Sequence, residues 1–351
     1  MRILATLLLA GLALLIRVPG EAKRRPQAED PVVVALRQPL ATGILVIDVA
    51  PGSPADKAHI ALGDIIASYN ERDVPTLQQL EQSLRDSRNL REVSAVVYRG
   101  KEAFQATLST DPLGIEGRAV VKGKGSEPFH RPTRSQPDYG VLAQEGDAWR
   151  EFFLGRSKVG YSREQWKPEG ELLHLESYLR ATGAGQDVDL LITGTFRRAE
   201  VLDLQSLKVE RNGTLFAEGR RQGEEWIGKV GDREVRLRLS ATVLPNLALG
   251  TMARILPQKR GTCIHFTRLE ETEMRLVRGC ELYCAGEDTL ALPRGTLRAS
   301  RFEQYRYGEL GYTYWVDRDR RLVRAHYGGP SDQLCSREQA LSGLPAALRR
   351  E

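Results

Sequence analysis

A chain of 351 residues, 41% hydrophobic and 28% charged, has room for two ordinary cores and is not a disordered polymer. Its formal net charge of +5 is weak for a nucleic-acid binder, and the arginines are scattered rather than gathered in one stripe, so no nucleic-acid partner is expected. The first element is a targeting signal: Met1-Arg2 is a basic start, and the apolar run from Ile3 to Ile16 is too short to cross a ~30 Å hydrocarbon core comfortably. Gly20-Glu21-Ala22 offers small residues where a signal peptidase cuts, so residues 1–22 read as a signal peptide and the protein as exported to the periplasm or cell envelope. The alternative is an uncleaved segment that anchors the chain in the membrane by its N-terminus.

Next comes a β-rich run, Gly43-Ile44-Leu45-Val46-Ile47-Asp48-Val49, closed by Ala50-Pro51-Gly52-Ser53-Pro54-Ala55. Pro51 and Gly52 suit a turn, Ser53 can cap the helix that Pro54 starts, and Gly63 permits a tight turn into Asp64-Ile65-Ile66. Thr76-x-x-Gln79 is a capping box, after which Leu77, Leu80 and Leu84 recur at helical spacing. Val93 to Tyr98 and Phe104 to Leu108 form a hairpin pattern around Arg99-Gly100-Lys101. Residues 31–117 so arranged resemble bacterial PDZ domains, which add an extended peptide to a sheet edge and hold its terminal carboxylate on backbone amides. The resemblance implies a partly open β-barrel with two helices. It also implies a partner that is a peptide or the C-terminus of an envelope protein, with Leu77, Leu80 and Leu84 on the helix that walls the groove. The family's hydrophobic-Gly-hydrophobic carboxylate loop does not precede Gly43. The one match is Leu113-Gly114-Ile115, after the last strand, and it is either the groove loop of a permuted domain or an incidental turn.

Residues 118–146, rich in Pro, Gly and charge around 122–140, read as a flexible, exposed linker, with His130 solvated. From 147 to 351 short alternating segments predict strands at Leu172 to Leu175, Val188 to Ile192, Val230 to Leu239 and Leu297 to Tyr307. Pro245 to Leu256 predicts a short helix, and the whole chain is then α+β: a PDZ fold followed by a mostly antiparallel β domain curved around that helix. Phe153 to Tyr161, with its G-x-K-x-G-Y pattern, and Tyr314 to Arg324 weakly resemble an uncharacterised periplasmic β domain found before transglutaminase-like domains, over residues 147–328. By fold analogy this implies a surface for a second protein or an apolar ligand.

The four cysteines, Cys263, Cys280, Cys284 and Cys335, all fall in this second half. In an exported protein they are candidates for disulfides, and three pairings are open. Cys280 and Cys284 lie ~13 Å apart on one strand, beyond bonding reach unless the chain turns at Glu281-Leu282. A zinc site of Cys263, His265, Cys280 and Cys284 has unusual spacing, and no metal or cofactor is expected. No Gly-x-Ser-x-Gly loop or HExxH is present, and Asp317-x-Asp319 reads as a solvated hairpin tip. The expectation is a non-catalytic peptide-binding protein. The alternatives are a hydrolase or transferase with its site at Cys263 and His265, and a purely structural scaffold in an envelope complex.

Overall fold

The computed structural model describes residues 29–349, apart from residues 111, 184, 185, 240, 241, 293 and 294. The targeting segment, residues 1–22, lies outside the described residues. The chain divides into two compact units, the second beginning at Glu127, and it is mostly β. Among the described residues no helix is long and apolar enough to cross a membrane.

The first unit runs α1 (Pro31–Arg37), β1 (Gly43–Val49), α2 (Pro54–Lys57), β2 (Ile65–Tyr69), β3 (Arg72–Asp73), α3 (Leu77–Asp86), β4 (Glu92–Arg99), β5 (Glu102–Ser109) and β6 (Ile115–Val120). Among the described residues it therefore holds three helices where the sequence predicts two: Asp30 caps α1 by accepting from Val32 N, with Pro31 at the first helical position. Ser53 and Thr76 cap α2 and α3 as their positions predict. The sheet order is β5-β4-β2-β1-β6, so the last strand returns to pair with the first. Ile44, Val46, Ile66, Leu80, Val97 and Leu108 are the centre of its core. Asp64, 1% exposed, is held bidentately by Arg99 at 2.9 and 2.7 Å and accepts from Ala61 N, which ties the start of β2 to the end of β4.

The second unit is a fifteen-stranded sheet. Its strands are β7 (Gly146–Leu154), β8 (Ser157–Glu169), β9 (Leu172–Gly183), β10 (Gln186–Arg198), β11 (Leu202–Arg211), β12 (Thr214–Gln222), β13 (Glu225–Val230) and β14 (Arg233–Arg238), followed by β15 (Val243–Pro245). After α4 (Asn246–Ile255) come β16 (Cys263–Glu270), β17 (Arg275–Leu292), β18 (Gly295–Arg306), β19 (Glu309–Val316), β20 (Leu322–His326) and β21 (Pro330–Cys335), then α5 (Arg337–Leu341). The order is β14 through β7 in sequence, then β21 back through β15, antiparallel except for the β15–β16 pair. The predicted single strand Val230 to Leu239 is in fact the end of β13 and all of β14, because Gly231 adopts a positive φ of 56° and turns the chain. Asp317 is not a solvated tip. It is buried and accepts from Arg321 N and Arg321 Nε, both at 2.8 Å.

Every residue of α4 from Ala248 to Ile255 is buried, and the helix packs against β9, β15, β16, β19 and β20. Polar groups inside this packing meet at Glu164 on β8. It accepts from Arg150 Nη2 at 2.7 Å and from Thr251 Oγ1 at 2.9 Å, with Arg254 Nη1 at 3.8 Å. Burial alone would raise the Glu164 carboxyl, but Arg150 and Arg254 outweigh it and hold the group below the ordinary carboxylate range. Arg254 also stacks over the Trp166 ring at 4.1 Å.

The stretch read as a flexible linker is pinned. Within the first unit Gly123 N donates to Pro39 O and Ser126 N to Leu36 O. Within the second, residues 129–138 form a strap along β16 and β17: Thr133 N donates to Cys263 O at 2.9 Å, and Asp138 N to Ile255 O at 2.8 Å.

Replacing Glu164 removes the carboxylate that the buried Arg150 and Arg254 share. Glu164→Ala is expected to destabilise the second unit by about 3–5 kcal/mol in chemical denaturation; a loss below about 1 kcal/mol contradicts the role given to this carboxylate. Because its folded-state pKa is depressed, its contribution is present above the ordinary carboxylate range and is lost as the pH falls through the folded value.

Candidate functional site

In the first unit, β6 is an edge strand: it pairs with β1 on one side, in the register Gly43↔Val120 through Val49↔Ile115. Leu113-Gly114-Ile115 leads directly into it. Leu113 is 3% exposed and sits in the core, so it anchors the loop rather than facing a ligand. The Leu113 carbonyl accepts from Ala55 N at 3.2 Å and the Gly114 carbonyl from Ala50 N at 2.7 Å, both in the Ala50–Ala55 turn. The peptide bonds are trans, so each amide points opposite the carbonyl before it. The amides of Gly114 and Ile115 therefore face away from that turn, on the outer side of the loop. Two neighbouring amides so directed at the start of an edge strand have the geometry that captures a carboxylate.

Gly114 is fixed in this role by its backbone. Its φ is +68°, and a Cβ there would lie 2.3 Å from the Ser53 Cβ. Helix α3 lies beside β2 and β6. Of its three leucines, Leu77 is 43% exposed, Leu84 is half-buried, and Leu80 is a core residue at 4%. Gly117 on β6 lets Ile44 of β1 come close: a Cβ at 117 would stand 2.4 Å from Ile44 Cγ2, while Leu77 Cδ2, at 3.8 Å, would be in ordinary contact. Sequence reasoning passed over Gly117, although a glycine inside a strand signals a close approach of this kind.

The second cluster lies on β16 and β17. Cys263 and His265 are two apart on one strand, and Glu281 is directly opposite His265, so all three side chains share one face. Cys280 and Cys284 point to the other face and into the α4 core. The four cysteines are free thiols, which corrects the disulfide expectation: Cys263 and the Cys280–Cys284 pair are on opposite faces, and Cys335 sits on β21 across from Trp149. His130 is likewise not a solvated linker residue. Its ring stacks on Tyr283 with centroids 3.7 Å apart, and its Nδ1 lies 2.8 Å from Glu281 Oε1.

Glu281 is fully buried; burial favours its neutral form, but His265 and His130 hold the carboxyl below the ordinary range. The Cys263 thiol is pushed far above its ordinary value by burial and by the adjacent Glu281 carboxylate. A thiol held neutral in this way is a poor nucleophile, so the pair lacks the activation that Cys–His catalysis requires.

Gly114→Ala is expected to cost the first unit about 2–4 kcal/mol through strain and the Ser53 collision, whereas Gly100→Ala, at φ +58° with nothing nearby, costs about 1–2 kcal/mol through strain alone. Equal losses in thermal unfolding would show that the 113–115 loop is not held as described.

No curated protein matches the chain. Residues 15–110 match the family model described as PDZ domain, a match that reaches from before β1 through β5 and stops short of Leu113. The sheet order of the first unit, its capped turn and helix, and this match agree, and the N-terminal part of the chain carries a PDZ domain.

Proposed function

We propose that this is an exported, non-catalytic PDZ protein that binds the free C-terminus of an extended peptide in the groove between β6 and α3. The observation that carries the reading is the position of β6: an edge strand, entered through a loop with outward amides and flanked by α3. A peptide laid antiparallel to β6 would extend the sheet, with its carboxylate on the amides of Gly114 and Ile115. Leu77 offers an apolar contact, which favours an apolar ligand side chain two positions before the end. In this reading the domain is permuted, with the loop and strand that other PDZ domains carry first supplied here by residues 113–120. Export rests on the pattern of residues 1–22, and an envelope protein is the corresponding partner.

The second unit would offer a separate surface. A trough of about 930 Å³ on the face of β8–β14 is lined by apolar side chains that include Trp166, Leu175, Leu207 and Ile227 and by charged side chains of both signs, Arg220 and Glu218 among them. Its size is that of a small-ligand site, and its apolar lining suits an apolar body. Wrapping of the sheet around α4, which touches strands far apart in the sheet order, would give the trough its concave face.

The test is binding of residues 23–351 to a panel of peptides with free or amidated C-termini. Micromolar binding that requires the free carboxylate is expected, and Leu77→Asp should weaken it about tenfold or more through the lost apolar contact. Binding indifferent to amidation, or to Leu77→Asp, overturns the groove assignment.

A further inference from the structure

We propose that Cys263, His265 and Glu281 form a binding site for a divalent transition metal, with zinc as the natural occupant and His130 orienting the carboxylate. Three side chains of the right chemical types, a thiol, an imidazole and a carboxylate, place one donor atom each within 4.8 Å of one another. They come from adjacent strands in a fixed register rather than from mobile loops.

Two of the three separations match those of zinc ligands. Bonds of ~2.0 Å to nitrogen and oxygen and ~2.3 Å to sulfur, at tetrahedral angles, put N and O ~3.3 Å apart and S and O ~3.6 Å apart. Here His265 Nε2 lies 3.4 Å from Glu281 Oε2, and Cys263 Sγ lies 3.6 Å from the same oxygen. The first distance is long for a charge-assisted hydrogen bond, yet both are edges of a zinc tetrahedron. The other oxygen, Oε1, is held by His130 Nδ1 at 2.8 Å, and the His130 amide reaches Oε2 at 2.9 Å. A ligating carboxylate fixed by a neighbour in this manner is the usual outer support of a metal site.

The balance is simple. The Cys263 thiol gives its proton to solvent on binding; His265 Nε2, whose proton is donated to the His130 carbonyl in the metal-free protein, loses that proton as the ring passes to its Nδ1–H form; and Glu281 binds as the carboxylate. His265 Nε2 exchanges its present 2.8 Å contact with the His130 carbonyl for the metal. With three protein ligands and His265 reaching the surface, the fourth position opens to water. Cys280 and Cys284, on the other face, take no part.

The experiment titrates reduced, metal-stripped protein with Co²⁺ and then displaces it with Zn²⁺, reading the thiolate-to-cobalt charge-transfer band and following proton release. One equivalent with a charge-transfer band is expected, abolished in Cys263→Ser and His265→Ala but retained in Cys335→Ser, with circular dichroism showing each variant folded. His130→Ala should keep the band and weaken Zn²⁺ affinity about 10- to 100-fold, as loss of an outer-shell partner does; this variant decides the matter if Cys263→Ser does not fold. No stoichiometric uptake at micromolar metal, a band that survives Cys263→Ser, or unchanged affinity in His130→Ala overturns the assignment.

Discussion

The pairing of β6 with β1 is the constraint on which the first unit depends. A strand at a sheet edge exposes a row of backbone donors and acceptors that must be paired, covered or put to use. β1 is satisfied on one side by β2 and on the other only when residues 115–120 return to it. That return makes β1 a central strand and moves the edge to β6, beside α3. The 113–115 loop is then tied by its carbonyls to the Ala50–Ala55 turn, which turns its amides outward. One long-range pairing thus completes the core and leaves β6 as the edge strand beside α3.

In the second unit the comparable organisers are two buried carboxylates. Glu164 gathers Arg150, Thr251 and Arg254, and so fixes an otherwise apolar helix in one register against the sheet. Glu281, on the opposite face of β17 from Cys280, gathers His130, His265 and Cys263, and so fixes the strap that opens the unit. Each carboxylate stays charged because its partners offset the cost of removing it from water. A buried charge satisfied by several elements at once is a strict geometric specification, since moving any one element leaves it unpaired.

Local chemistry was legible in the sequence. The Ser53 and Thr76 caps, the Arg99–Lys101 hairpin and the short helix after Pro245 are each set by neighbours a few residues away, and the chain folds at those points as the residues require. What escaped was non-local. Nothing near residue 115 states that it will pair with Val49, and so the place of the Leu113–Ile115 triplet stayed open. The strap looked like a linker because its composition is polar, but it is held by backbone amides and by a partner 151 residues away in Glu281. The cysteines looked like a disulfide set because spacing alone does not reveal faces. Strand alternation, read with the register, puts Cys263 on one side of the sheet and Cys280 and Cys284 on the other. Glu281 entered the sequence reading only as a place where the chain could turn, whereas in β17 it is the residue around which the cluster forms.

The most direct test of the central claim is the amide spectrum of the chain as a peptide with a free C-terminus is added. Addition of a strand to β6 predicts that the largest shifts, and new protection from hydrogen exchange, fall on Gly114, Ile115 and the outward amides through Val120, with smaller shifts along α3. Saturable binding that leaves those amides unmoved, or that moves the opposite edge at β5 instead, would contradict the account.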